Sequence, residues 1–182
     1  MKIAIDIDDT LTNTKQQQIK LWKEYYNNNP HKDYSEKLPQ NINEWGDKYI
    51  EDFWDTYREL LSFNSSYKDN VSEVIDKLLQ DGHQLYIVTS RPQYKYNNLI
   101  SKIKKALNDN KIHIDNIYTD IYDKGKFCKD NKFDLLIDDD IKHIKSAQKN
   151  GIKAILFNEY KNYDGVQATT WKEVYKKIKM LK

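Results

Sequence analysis

"IDIDDTLTNT", residues 5–14, sets three carboxylates, Asp6, Asp8 and Asp9, directly behind an apolar stretch that begins at Lys2. Carboxylates so close repel one another, and burying one is costly unless a cation or hydrogen bonds neutralise it. A water-exposed turn would account for one such cluster. The pattern recurs as "DLLIDDD" at 134–140, again behind an apolar run. Everything between is read against these two clusters.

Lys2 to Ile7 has the composition of a short buried strand. Gln84 to Val88, "QLYIV", is a second, entered through Asp81-Gly82 and stopped at Arg91-Pro92. Shorter candidates are Asn116 to Tyr118, Asp134 to Ile137, and "IKAILF" from Ile152, which follows Asn150-Gly151. Helical periodicity fills the gaps: Val71, Val74, Ile75, Leu78 and Leu79, then Ile141, Ile144 and Ala147, then Trp171, Val174, Tyr175 and Ile178. Thr170 reads as the N-cap of the last helix, with Trp171 docking it on the core. Strands alternating with helices predict an α/β fold, a parallel sheet with helices on both faces. Its strands end on one edge, and ligands of such sheets sit beyond that edge. Both acidic clusters fall there.

The alternation breaks between Thr14 and about Lys68. Leu21, Trp22, Tyr25 and Tyr26, then Tyr49, Ile50, Phe53, Trp54 and Tyr57, mark helical patches, and Asn27 to Pro39 reads as a loop. The expected organisation is an α/β core of residues 1–13 plus 69–182 and a small helical cap of residues 14–68, inserted after the first strand.

The chain has 182 residues and a formal net charge of +2, which suits one core and gives no support to a nucleic-acid-binding surface. Lys102, Lys104 and Lys105 read as a solvated helix face. Cys128 is the single cysteine, so no intrachain disulfide is expected, and it reads as a buried small side chain rather than a nucleophile. No apolar run approaches membrane-spanning length and no signal-peptide pattern opens the sequence, so a cytoplasmic location is expected.

In an extended strand Asp6 and Asp8 point to the same side. Paired carboxylates at a strand end suit a hard cation such as Mg²⁺, which takes one or two protein carboxylates and leaves room for water and phosphate. Asp138 and Asp139 could bring a further acid to the same ion. Thr89, just after "LYIV", and Lys124 could supply a hydroxyl and a cation for phosphoryl oxygens. An EF-hand reading of Asp6, Asp8 and Thr10 fails, because Leu11 and Gln17 stand where Gly and Glu are required. His31, His83, His113 and His143 share no metal-ligand spacing; His143 follows "DDD" closely enough to approach the site, but reads rather as a partly exposed helix residue.

"DIDDT", "VTSRP", a downstream lysine and "LLIDDD" together resemble the four motifs of the haloacid dehalogenase superfamily, in order and at strand ends. The resemblance covers Met1 to Asn13 and roughly Val71 to Phe157. It implies a Rossmann-like core. It also implies a phosphatase in which Asp6 is the nucleophile, Asp8 the general acid and base, Thr89 and Lys124 the phosphate ligands, and Mg²⁺ the cofactor. Asp6, the backbone carbonyl of Asp8, and Asp138 or Asp139 would hold that metal. Lys126 is the alternative to Lys124, which spacing to Asp138 favours. The acid at Asp8 is similar to the phosphatase branch rather than the dehalogenases. A narrower resemblance, carried by "IVTSRP" and "ILFNEYKNYDG…TTWKEVYKKI", is to 5'(3')-deoxyribonucleotidases and related bacterial proteins. Arg91 is common in the wider phosphatase group and joins Trp45 as a candidate substrate contact. Trp45 stands beside Gly46 in an expected loop, whereas Trp22, Tyr25, Phe53, Trp54 and Tyr57 have the spacing of a core. The expected partner is a small phosphorylated metabolite, first a nucleoside monophosphate. The alternatives are a sugar or other small organic phosphate, or a silent phosphate-binding regulator.

Overall fold

The computed structural model describes residues 1–28, 47–158 and 163–181. β1 (Lys2–Ile5) is the middle strand of a five-stranded sheet ordered β3-β2-β1-β4-β5. Its companions are β2 (Gln84–Val88), β3 (Asn116–Tyr118), β4 (Leu135–Asp138) and β5 (Lys153–Leu156), and every pairing is parallel. A central parallel strand is covered on both faces, which is why "KIAI" is apolar at consecutive positions instead of alternating. The chain first winds outward through β2 and β3, then returns to the far side of β1 for β4 and β5. That reversal makes the β1–β4 boundary a topological switch point, where a crevice opens at the carboxyl edge.

Side-chain alternation and the register place Ala4, Val88, Leu136, Ala154 and Leu156 on one face. They pack with Cys128 of α5 (Lys124–Asp130) and Ile144 and Ala147 of α6 (Ile141–Lys149). The other face presents Ile3, Ile5, Leu85, Ile87, Leu135, Ile137 and Ile155, all fully buried. α3 (Val71–Gln80) packs on β2 and α7 (Trp171–Met180) packs on α3, which covers that second face. Within α3 the buried stripe is Val71, Val74, Ile75 and Leu78, and Leu79 sits half-buried at its margin. α4 (Leu99–Asp109) buries Leu99, Ile103 and Leu107 and turns Lys104 and Lys105 to water.

Thr170 caps α7, accepting from the Glu173 backbone N–H. Trp171 is fully buried and its indole N–H donates to the Thr10 carbonyl at 3.0 Å, which ties the last helix to the turn behind β1. In that turn Asp9 takes a left-handed conformation, φ 56°, and the Ile7 carbonyl accepts from Leu11 N–H, Thr12 N–H and the Thr12 hydroxyl.

The chain divides into two compact units, Met1–Thr12 with Tyr67–Lys182, and Asn13–Ser66. The second unit holds α1 (Thr14–Asn28) and α2 (Asp47–Phe63). Asn27 and Asn28 extend α1 where the sequence suggested a loop; the remainder of that loop, and Trp45, lie outside the described residues. Phe53 is fully buried, with Trp22, Tyr25 and Tyr57 rings centred 5.3, 5.7 and 5.1 Å away. These rings are the core of the helical unit. Among the described residues, no helix is long and apolar enough to cross a membrane.

α5 and α6 meet at Gly125. A Cβ there would lie 2.3 Å from the Ala147 backbone nitrogen and 2.3 Å from the Ser146 carbonyl carbon. Backbone cannot step aside as a side chain can, so Gly125→Ala forces α5 away from α6. Overpacking of this kind costs about 1–3 kcal/mol. At about 2–4 °C per kcal/mol for a chain of this size, the melting temperature is expected to fall by several degrees. An unchanged Tm would contradict the close approach.

Candidate active site

Register brings the first pair of acids together. Ile5 pairs with Ile137, and the Asp6 N–H donates to the Ile137 carbonyl at 3.0 Å, so Asp6 and Asp138 end neighbouring parallel strands side by side. Asp6 shares a face with Ala4, and Asp138 shares that face with Leu136; it is the face that α5 and α6 cover. Both are buried, Asp6 at 5% and Asp138 at 0% exposure. Two carboxylates on strands less than about 5 Å apart need a cation between them.

Lys124 supplies it. Its ammonium lies 2.6 Å from Asp6 Oδ1 and 2.7 Å from Asp138 Oδ2, and the residue is 2% exposed. Lys124 opens α5, whose next inward turn is Cys128, so the same helix stripe faces first the site and then the core. The start of α5 is fixed by Asp123, which accepts from the Lys126 N–H at 3.0 Å and from the Ser146 hydroxyl at 2.6 Å. Lys126 points out to an ion pair with Asp130. The lysine in the site is therefore Lys124, and Lys126 is a surface residue. Burial works against the Lys124 ammonium, but Asp6 and Asp138 outweigh it and hold its pKa above the usual lysine value.

The second oxygen of Asp138 accepts from the Asp140 N–H at 2.9 Å, and Asp140 caps α6 by accepting from the Lys142 N–H at 2.7 Å. Asp139 is different. Burial, with Asp6, Asp138 and Asp9 adding to it, pushes its carboxyl up to about 8. Asp6 is pushed up to about 6 by burial, with Lys124 opposing and Asp138 and Asp8 reinforcing. One oxygen from each of Asp6, Asp138 and Asp139 falls within 4.8 Å of the others.

These groups line a cavity of about 240 Å³ with Asp8, Thr89, Arg91 and His143. Six carboxylates border it, Asp6, Asp8, Asp9, Asp138, Asp139 and Asp140, against the fixed cations Lys124 and Arg91. An oxygen-only triad with negative charge in excess fits a hard divalent cation such as Mg²⁺. Asp8 stands apart from the triad, and its side chain is engaged by Arg91 through two hydrogen bonds of 2.9 and 2.7 Å. Arg91 is thus turned onto Asp8, not held open towards a ligand. Thr89 is buried at 1% exposure, its N–H donates to the Tyr118 carbonyl, and its hydroxyl accepts from the Arg91 N–H at 3.3 Å. The hydroxyl can still donate to a ligand, but the Thr89 backbone N–H is already taken.

His143 corrects the sequence reading. It is 9% exposed and lines the cavity, because the first turn of α6 follows directly from the Asp138–Asp140 strand end. Burial and nearby Lys124 lower its pKa, so the ring is neutral at pH 7. The signal was its position three residues after Asp140, on the turn that must face the sheet edge. Cys128 is fully buried, its thiol pushed up to about 12 by burial and by Asp138, which makes it an inert core residue.

Two outcomes follow from this electrostatic arrangement. Lys124→Met leaves Asp6 and Asp138 buried without their cation, a loss of about 3–5 kcal/mol. The Tm deficit should be large at pH 8 and smaller at pH 5, where the carboxyls can take up protons. A pH-independent deficit would contradict the ion-pair role. For Asp139 the native state keeps a proton that the unfolded chain releases near pH 4. Stability contributed by this residue therefore falls as pH rises from about 4 to about 8. Without metal, the Tm difference between Asp139→Asn and wild type should grow across that window and be reversed by millimolar Mg²⁺, which stabilises only the wild type; a flat difference would contradict it.

No protein-family model and no curated protein sequence matches the chain. Solved structures do. A haloacid dehalogenase-like hydrolase family protein from Streptococcus pneumoniae is 16% identical, with 97% of each chain covered and a TM-score of 0.67. A magnesium-bound HAD-hydrolase from Bacillus subtilis is 17% identical, with 98% of each chain covered and a TM-score of 0.68. A Thermotoga maritima protein provisionally named β-phosphoglucomutase is 14% identical over 100% of both chains, with a TM-score of 0.69. The chain therefore has the Rossmann-like α/β fold shared by haloacid dehalogenase-like hydrolases, and nothing in these matches singles out the nucleotidase group.

Proposed function

We propose that this protein is a Mg²⁺-dependent phosphomonoesterase that works through an aspartyl-phosphate on Asp6. The observation that carries the reading is Lys124 bridging Asp6 and Asp138 at 2.6 and 2.7 Å, with the Asp139 carboxylate completing an oxygen triad at the carboxyl edge of the sheet. Asp6 so placed is held by Lys124 through one oxygen and borders the cavity. Asp6, Asp138 and Asp139, with the backbone carbonyl of Asp8, would hold Mg²⁺, which when bound draws charge from the phosphoryl oxygens.

In the first step an Asp6 oxygen attacks phosphorus while the bond to the leaving oxygen breaks, and Asp8 gives that oxygen its proton. In the second, Asp8 takes a proton from the water that attacks the same phosphorus, the bond to Asp6 breaks, and inorganic phosphate leaves. Lys124 and the Thr89 hydroxyl position the phosphoryl group and offset its charge. Neutral His143 offers a further hydrogen-bonding group at the cavity wall.

The substrate class we assign is the nucleoside monophosphates, on the resemblance of "IVTSRP" and the C-terminal segment to nucleotidases. Trp22, Tyr25 and Phe53 are buried in the core of the helical unit, so none of them offers a ring face on which a nucleobase could stack. Small sugar phosphates are the second reading, in keeping with the name of the Thermotoga maritima neighbour.

Phosphate release from nucleoside monophosphates, sugar phosphates and an aryl phosphate, each with Mg²⁺ and with chelator, tests the reading. Release is expected only with metal, and Asp6→Asn should lower it by about 10³-fold or more. Full activity in folded Asp6→Asn would remove Asp6 as nucleophile. Release restricted to sugar phosphates would move the assignment to the second substrate class.

A further inference from the structure

We propose that Arg91 is a positioning residue that holds Asp8 in line for proton transfer, not a ligand of the substrate. The inference rests on the acid–base role assigned to Asp8 above. Asp8 lies beyond the last ladder residue of β1, in a turn whose next residue, Asp9, is left-handed, so no strand pairing fixes its side chain. An unrestrained carboxylate rotates among several rotamers, whereas proton transfer needs it within hydrogen-bond reach of one atom. The Arg91 Nε and Nη2 donate to the two Asp8 oxygens at 2.9 and 2.7 Å, a fork that fixes both the position and the plane of the ionised carboxylate, the form that takes the attacking water's proton and so becomes the acid for the next turnover.

The relative exposure gives the direction of control. The Arg91 side chain is 7% exposed and that of Asp8 is 38% exposed, so the cation is the anchor and the acid presents an open edge. Arg91 is itself held at both ends of its backbone. Its N–H donates to the Thr89 hydroxyl at 3.3 Å, and its carbonyl accepts from the Asp120 N–H at 3.1 Å. The Asp120 carboxylate accepts from the Gln93 N–H at 3.1 and 3.2 Å, and the Gln93 amide donates to the Thr119 hydroxyl at 2.8 Å. Asp120 keeps a φ of 61°, a conformation unfavourable for a side-chain-bearing residue that this hydrogen bonding holds in place. The loops after β2 and β3 thus form one bracket whose product is a fixed guanidinium. Burial and this bracket leave Arg91 poorly placed to follow a substrate.

The test separates leaving groups. Protonation matters greatly for a departing alkoxide and little for para-nitrophenolate. Values of kcat/KM for an alkyl phosphate and for para-nitrophenyl phosphate are compared in wild type, Arg91→Met, Arg91→Lys, Asp8→Asn and the Arg91→Met/Asp8→Asn double variant. The inhibition constant of inorganic phosphate is measured in each. Arg91→Met is expected to lose about 10²-fold or more on the alkyl ester and less than about tenfold on the aryl ester. Phosphate inhibition should stay within about twofold of wild type, and the double variant should be no slower than Asp8→Asn alone. Arg91→Lys keeps the buried charge without the fork and should show the same leaving-group pattern; it decides the matter if Arg91→Met does not fold. Equal losses on both esters, weakened phosphate inhibition, or additive effects in the double variant would overturn the inference while leaving the phosphatase intact. A wild-type protein that releases no phosphate would overturn both.

Discussion

One buried ammonium sets the conditions for the rest of the α/β unit. Parallel pairing of β1 with β4 puts Asp6 and Asp138 side by side on the covered face, and Lys124 is the cation that makes their joint burial tolerable. To reach them, α5 must begin directly above the strand ends. That requirement accounts for the Asp123 cap, the Ser146 hydroxyl that holds it, and the glycine that lets α5 touch the backbone of α6. Sheet register, helix packing and site electrostatics therefore converge on the same three residues.

The arrangement neutralises only part of its own charge. Lys124 answers Asp6 and Asp138, and Arg91 answers Asp8, but among the described residues Asp139 has no such ion pair, and burial with the neighbouring carboxylates raises its pKa to about 8. Residual negative charge around an oxygen triad at the switch point of a parallel sheet suits a divalent cation and, through it, a phosphate ester. The same features would be an unexplained cost in a purely structural role. Asp8 is held by a different cation, from a different loop, than the one that serves Asp6. Asp6 and Asp8 can thus be placed independently.

Much of the core was readable because its punctuation is strong. β2 has the predicted bounds, since Asp81-Gly82 opens it and Arg91-Pro92 closes the loop behind it. β1 ends at Ile5 instead of Ile7, because beyond Asp6 the backbone turns to bring Asp8 back towards the β2 loop. What stayed hidden depended on three-dimensional proximity. The Asp8–Arg91 pair joins residues 83 apart in sequence, both just past strand ends, where register no longer dictates contacts. His143 reads as a partly exposed helix residue near the site because periodicity gives a helix's apolar stripe but not which turn faces a cavity. Lys124 and Lys126 differ by two positions, and only the cap at Asp123 decides which one points inward.

The central claim is that Asp6 becomes covalently phosphorylated. The most direct measurement is acid quenching of the enzyme during turnover with a phosphate ester that it hydrolyses, followed by mass spectrometry of the peptide that carries residues 5–14. The account predicts one added phosphoryl group on Asp6, labile to hydroxylamine, absent without Mg²⁺ and absent in Asp6→Asn. Rapid phosphate release with no phosphorylated peptide at any quench time, or with the group on another residue, would contradict it.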